Sequence, residues 1–243
     1  MIYELKEKIL DRLESLPKTY KVLDVGGASS PFSRADVLID IVDYEGIHWD
    51  QNKGDKNKRI SKENFIKHDI CSREAWPLKD KEFDYVTCSH VLEDIRDPLW
   101  VCSELIRVSK SGYIEIPSRS YETTFNLETR GLAGASHHRW IIDLDEQSKL
   151  RFTFKYMHAH LPGVNKNRNV YDKSDENMYL RLEWKESFDF YENWLNSGKE
   201  IFEYYLKRKL TEKEVSKVFR NIGPRGRVIE WLAYLKRITR KHE

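Results

Sequence analysis

Val22-Leu-Asp-Val-Gly-Gly-Ala28 decides what kind of fold this chain adopts. A short, largely apolar, β-branched run that closes on two glycines reads as a buried strand followed by a tight loop. Upstream, Ile2, Leu5, Ile9, Leu10 and Leu13 recur at three- and four-residue spacings among charged residues, so a helix over 2–15 leads into the strand and Pro17 ends it. Downstream the same pattern returns in Val37-Leu-Ile-Asp-Ile-Val42, Phe65-Ile-Lys-His-Asp-Ile70, Phe83-Asp-Tyr-Val-Thr-Cys88 and Gly112-Tyr-Ile-Glu-Ile-Pro117. Between the last two, Asp97-Pro98 opens a helix that runs to about Ser109, with proline where a first turn tolerates it. Strand, connection and strand in this order predict an α/β chain: a Rossmann-like, mostly parallel sheet with helices on both faces.

The second half is less regular. Arg139–Asp143 and Leu150–Tyr156 flank Asp145-Glu-Gln-Ser148 and read as an inserted β-hairpin. Residues 161–177 read as a loop, 179–184 and 187–191 as strands, and 194–220 and 226–241 as helices parted by Gly223-Pro224.

With 243 residues, 40% hydrophobic and 34% charged, and a mean hydropathy of -0.71, the chain can bury a full core, which excludes disordered, collagenous and disulfide-stapled classes. A net charge of +2 argues against a protein built to coat nucleic acid. The charge is uneven, since 201–243 holds twelve basic and five acidic side chains. Cys71, Cys88 and Cys102 lack any C-x-x-C spacing and read as reduced thiols. No apolar run approaches the ~20 residues of a membrane span, and the N-terminus is too charged for a signal peptide. The expected compartment is the cytoplasm.

In an open parallel sheet, ligands bind beyond the carboxyl ends of the strands. Those ends are Asp24–Ser30, Asp40, Asp69-Ile70, Ser89-His90 and Pro117-Ser118. Gly26 and Gly27 let the backbone approach a ligand, and an acid ending the second strand can accept two ribose hydroxyls, so a nucleoside is the expected guest. A dinucleotide would need G-x-G-x-x-G and a helix behind it. Only nine residues separate Gly27 from Val37, which disfavours a nicotinamide-dependent oxidoreductase.

These blocks, together with Ser89-His-Val-Leu-Glu-Asp94 and Glu104-Leu-Ile-Arg-Val108, resemble the class I S-adenosylmethionine-dependent methyltransferases over roughly residues 20–118. The resemblance implies S-adenosylmethionine as cofactor. Asp24, Gly26 and Gly27 would lie by its methionine end, Asp40 would take the ribose, and Asp69 the adenine amino group. Ile41 and Ile70 would pack on the adenine, with Ser89 and His90 beside the sulfonium. It also implies a methyltransferase domain over 1–200, with a cofactor half at 20–118 and an acceptor half at 119–200, followed by a basic helical extension over 201–243. The chain departs from the family at Ala28 and Ser30, where glycines are usual, and at Glu93-Asp94, where a Glu-His pair is common.

A hydroxyl acceptor needs a base near the mouth of the sheet. Ser136-His-His-Arg-Trp140 is the candidate segment: His137 or His138 would take the proton, and Arg139 and Trp140 would hold an anionic or hydroxylated substrate. The resemblance associates such a segment with surface-glycan synthesis, so a saccharide hydroxyl is the expected acceptor. His158-Ala-His160 offers two metal ligands without a third, and no metal is expected. The basic tail reads as a solvated helix over the core that can also rest on an anionic glycan or membrane surface. A non-catalytic binding scaffold is the rival function, and an RNA methyltransferase ranks below it.

Overall fold

The computed structural model describes residues 11–47, 59–160, 178–207 and 209–212. Its centre is a six-stranded sheet, in order β3-β2-β1-β4-β5-β8. The strands are β1 (Val22–Val25), β2 (Val37–Asp40), β3 (Phe65–Lys67), β4 (Tyr85–Ser89), β5 (Ser111–Pro117) and β8 (Tyr179–Lys185). The first five run parallel, and β8 closes one edge antiparallel to β5. The parallel strands are buried because their residues are apolar on both faces: Leu23, Val25, Ile39, Val86, Cys88, Ile114 and Ile116 all lie in the main core. The expected α/β fold with a mostly parallel sheet is the observed one.

The expected strand over 37–42 ends two residues early. The Asp40 carboxylate accepts the N–H groups of Ile41 (2.6 Å) and Val42 (3.3 Å), which turns the chain out of the ladder. The strand expected over 65–70 likewise stops at Lys67, where His68 N–H bonds to the Asp40 carbonyl and Asp69 caps Cys71 N–H.

Helix α1 (Pro98–Val108) begins as expected, with the Asp97 carboxylate accepting Trp100 N–H at 3.2 Å. Its inner face buries Val101, Cys102, Leu105 and Val108. Glu104 is buried on the same helix. It accepts Trp76 N–H at 2.7 Å and pairs with Arg107 at 2.6 Å, so no charge is left unpartnered.

After β5 comes the short helix α2 (Arg119–Thr123), then the hairpin β6 (Trp140–Leu144) and β7 (Leu150–Phe154). The strand expected at 187–191 appears as β9 (Phe190–Glu192). It lies parallel to β7, which makes the hairpin part of a separate three-stranded sheet. Helix α3 (Gly198–Leu206) is shorter than the 194–220 expected, because Lys207 adopts a left-handed conformation that ends it. Its Ile201, Phe202 and Tyr205 pack with Ile141 and Ala159. The expected boundary at 200 therefore falls inside a helix that covers the hairpin. Residues 11–14 are the described end of the first expected helix. The loop at 161–177 and the helix at 226–241 lie outside the described residues.

His158-Ala159-His160 lies in a 3-10 turn. His158 packs edge-on against Phe202, and His160 Nδ1 accepts Ala133 N–H at 3.0 Å, so the two rings serve different neighbours. The three cysteines are free and buried. No described helix is long and apolar enough to cross a membrane.

Gly112 shows how tightly β4, β5 and β8 meet. A Cβ there would lie 2.6 Å from Val86 Cγ1, 2.7 Å from the Val86 carbonyl oxygen and 2.8 Å from the Trp184 ring. Backbone cannot give way cheaply, so Gly112→Ala is expected to destabilise by about 1–3 kcal/mol. Urea unfolding of the variant, with an unchanged slope and a lower midpoint, is the measurement.

Candidate functional site

β1 is flanked by β2 on one side and β4 on the other, and the strand order reverses between β1 and β4. A crevice opens beyond the carboxyl ends at such a switch point, bordered here by Asp24–Gly27 and Ser89-His90. Gly26 adopts φ +70, and Gly27 begins a 3-10 turn (Gly27–Ser29) in place of a full helix. A Cβ on Gly27 would come within 1.9 Å of the Asp24 carboxylate. That carboxylate is 3% exposed and accepts Phe32 N–H and the Thr87 hydroxyl, each at 2.8 Å. Burial outweighs both hydrogen bonds and pushes its pKa up to about 6. Asp24 thus holds the glycine loop in shape from beneath.

Asp40 reaches across to the same loop. Its second oxygen accepts Ala28 N–H at 3.0 Å, while its first takes Ile41 and Val42. Three donors leave an ionised carboxylate with capacity for one more, and a ribose hydroxyl suits it. Ile41, immediately outside, is 60% exposed, an apolar surface of the kind an adenine ring would cover. Asp69 is paired with Arg96 at 2.7 Å and accepts Cys71 N–H at 2.9 Å. Ile70 is placed differently from expectation. Its side chain belongs to the main core and its carbonyl accepts the Trp76 indole N–H at 3.1 Å, so it presents no face to a ligand. The ribose and one adenine face therefore fit S-adenosylmethionine, with Ile41 rather than Ile70 as the apolar contact.

His90, in a left-handed conformation (φ +55), sits at the end of β4 between two carboxylates. Its Nε2 lies 3.3 Å from Glu115 and its Nδ1 3.4 Å from Glu93. Those partners, Glu115 foremost, push its pKa up to about 9. Burial alone would raise Glu115, but His90, the Tyr113 hydroxyl and Arg181 together hold it down at about 2. Arg181 comes from β8 and donates to Glu115 at 2.7 Å, and Tyr179 of the same strand packs edge-on to His90. Ser89 is half-buried beside it.

The acceptor segment docks on the turn that follows β4. Arg139 N–H (2.7 Å) and Trp140 N–H (3.1 Å) both donate to the Glu93 carbonyl. His137 Nε2 and His138 Nε2 then lie 3.9 Å and 3.8 Å from Asp94 Oδ1. His138 is held from behind, since its Nδ1 meets the fully buried Glu122 at 2.5 Å. Burial alone would lower the His138 pKa, but Glu122 outweighs it and the net direction is up. Lys155 occupies the other Glu122 oxygen and also donates to the Ala135 carbonyl at 2.7 Å. Arg139 is exposed, as a substrate contact requires. Trp140 is not a substrate contact: it is 8% exposed, and its indole donates to the Ile95 carbonyl at 2.9 Å.

The crevice thus brings together Asp24, Gly26, Gly27, Asp40, Ile41, Ser89 and His90, with His137, His138 and Asp94 beside the same turn. Sequence reasoning missed Glu115, Glu122, Lys155 and Arg181. A glutamate inside the apolar run of β5 was the one local signal.

His90 carries a pH dependence. An imidazole normally titrates near 6.5, so a folded-state value of about 9 gives stability that is complete below roughly pH 6.5 and lost as pH rises through 9. Thermal midpoints measured from pH 6 to 9.5 are expected to fall. In His90→Asn, which tolerates the left-handed backbone, the fall should be shallower.

Residues 1–148 match a methyltransferase domain family. No curated protein matches. Among solved structures the chain is similar to an S-adenosylmethionine-dependent methyltransferase from Aquifex aeolicus (20% identity, 48% of this chain and 66% of that one, TM-score 0.35). It is also similar to one from Thermotoga maritima (18%, 48% and 52%, 0.35) and to the [4+2]-cyclase SpnF (19%, 51% and 50%, 0.36). The chain spans about half to two thirds of the length of these structures. The domain match covers more than half of the chain, which therefore belongs to this methyltransferase family.

Proposed function

We propose that the chain transfers a methyl group from S-adenosylmethionine to a hydroxyl of a saccharide or related metabolite, in surface-glycan synthesis. The observation that carries this reading is the cluster of Asp94, His137 and His138, docked through the Glu93 carbonyl on the turn that also bears His90. When bound, the cofactor supplies a methyl carbon on a cationic sulfur, which a hydroxyl oxygen displaces in line as the O–C bond forms, the C–S bond breaks and the hydroxyl proton leaves.

The residues of this chain do the rest. Asp40 and Ile41 fix the nucleoside end. The His90 imidazolium and the Arg181 guanidinium balance the Glu93 and Glu115 carboxylates, so this side of the crevice sets no net charge against a cationic sulfur. Alignment of this kind contributes roughly 7 to 11 kcal/mol. The hydroxyl meets the histidine cluster, which receives its proton with His138 fixed in orientation by Glu122, and Arg139 is free to hold an anionic or hydroxylated substrate. The basic 201–243 segment suits an anionic glycan or the inner face of a membrane, and a cytoplasmic location follows from that use.

A second reading, a binding scaffold without catalysis, is favoured by the short Gly27–Ser29 turn and by an Asp40 already accepting three backbone donors. Calorimetric titration with S-adenosylmethionine separates the two. Micromolar binding by the wild type, weakened at least tenfold in Asp40→Ala (about 1.4 kcal/mol), is expected, and no binding by the wild type favours the scaffold. With sugar acceptors, release of S-adenosylhomocysteine should drop about 10²–10⁴-fold in His138→Gln. Equal release by variant and wild type would remove the cluster from the mechanism.

A further inference from the structure

We propose that Asp94, His137 and His138 form a binding site for one divalent transition-metal ion of the zinc type, with Glu122 orienting the His138 ring from behind. The three ligand atoms, Asp94 Oδ1 and a nitrogen from each ring, all lie within 4.8 Å of one another. The two oxygen-to-nitrogen separations, 3.8 and 3.9 Å, are too long for hydrogen bonds. They suit atoms that share a third. Bonds of about 2.1 Å in a tetrahedral site place neighbouring ligands about 3.4 Å apart, so each nitrogen needs to close on Asp94 by only a few tenths of an ångström, and a rotation of the exposed His137 side chain brings the two nitrogens, within 4.8 Å of each other, to the same spacing.

Two further observations point to a ligand. Asp94 Oδ1 is itself buried and has no hydrogen-bond partner among the described residues, although the residue around it is partly exposed. The cost of such an orphan is offset if a cation occupies the gap. Second, the Nδ1–H of His138 is committed to Glu122, which leaves the lone pair on Nε2, the atom facing Asp94. A carboxylate that fixes the tautomer of a histidine in this way is the usual outer support of a metal ligand. Lys155 on the other Glu122 oxygen holds that carboxylate in place. The site is also reachable, since the His137 side chain is 63% exposed and that of Asp94 40%.

Two imidazoles and one carboxylate select zinc, manganese or iron(II) over magnesium and calcium, which prefer oxygen alone. Three protein ligands leave a position open for a substrate oxygen. The role of the ion, though not its binding, rests on the methyl-transfer reading. With their lone pairs on the ion the two histidines no longer take the proton themselves, and the ion replaces them as the activating group, since a hydroxyl on the open position would ionise closer to neutral pH, its proton passing to water.

The test uses the full chain without an affinity tag, stripped with a chelator and titrated with Co²⁺ while visible absorption is followed. The expected result is a band that saturates at one equivalent and is displaced by Zn²⁺. His137→Ala and Asp94→Ala should each weaken Co²⁺ binding at least tenfold, and Glu122→Gln by 10–100-fold. His137 is exposed enough that its variant should fold, as circular dichroism would verify. A flat titration, or equal affinity in wild type, His137→Ala and Asp94→Ala, overturns the site. The readout is independent of methyl transfer. Co²⁺ binding at these residues in a protein that methylates no hydroxyl would leave the site standing and overturn the acceptor reading instead.

Discussion

A carboxylate with no exposure to water, that of Glu122, sets the geometry on which the paired histidines of this protein depend. One oxygen holds His138 and the other holds Lys155, so three chain segments, α2, the 136–139 stretch and the residue after β7, meet on a single anion. Such an anion is tolerable in the interior only while both partners are present; removing one typically costs 3–5 kcal/mol because the remaining charge cannot be solvated. The energetics therefore favour one arrangement of the histidines over the many that a surface loop would sample.

The turn after β4 joins this cluster to the cofactor crevice. Within five residues it presents the His90 imidazolium, the Glu93 carbonyl that anchors the hairpin, and Asp94. The proposed donor and acceptor sites would thus share one short piece of backbone, and a shift in it would be felt on both sides. Rigidity of this kind matters for a displacement whose rate depends on the line between three atoms.

The sheet was legible in the sequence because parallel strands buried on both faces leave continuous apolar, β-branched runs, and Asp97-Pro98 announced α1 by its own cap chemistry. Asp40 and the glycine pair were legible for the same reason: their positions follow from where the strands end. What could not be read was side-chain partnership across distance. Glu122 and His138 are 16 residues apart, Glu115 and Arg181 are 66, and nothing local marks them. Trp140 and Ile70 were misassigned because an exposed and a buried apolar residue look alike until the carbonyl that takes the indole, or the core that takes the isoleucine, is known. The pair His137-His138 was visible, but its third member, Asp94, lies on another element.

β8 carries a consequence for how the molecule comes into being. It is the last strand of the central sheet in the chain, pairs with β5 from Ser111↔Lys185 to Pro117↔Tyr179, and delivers Arg181 to Glu115. During vectorial synthesis the five parallel strands emerge first, while Glu115 already sits in an apolar strand with His90 as its sole cationic partner among the groups that will hold it. The crevice thus acquires its final electrostatics only when some sixty further residues have left the ribosome and the edge closes. Until then the nascent chain has an open β5 edge, and the charges around His90 report on completion of the fold.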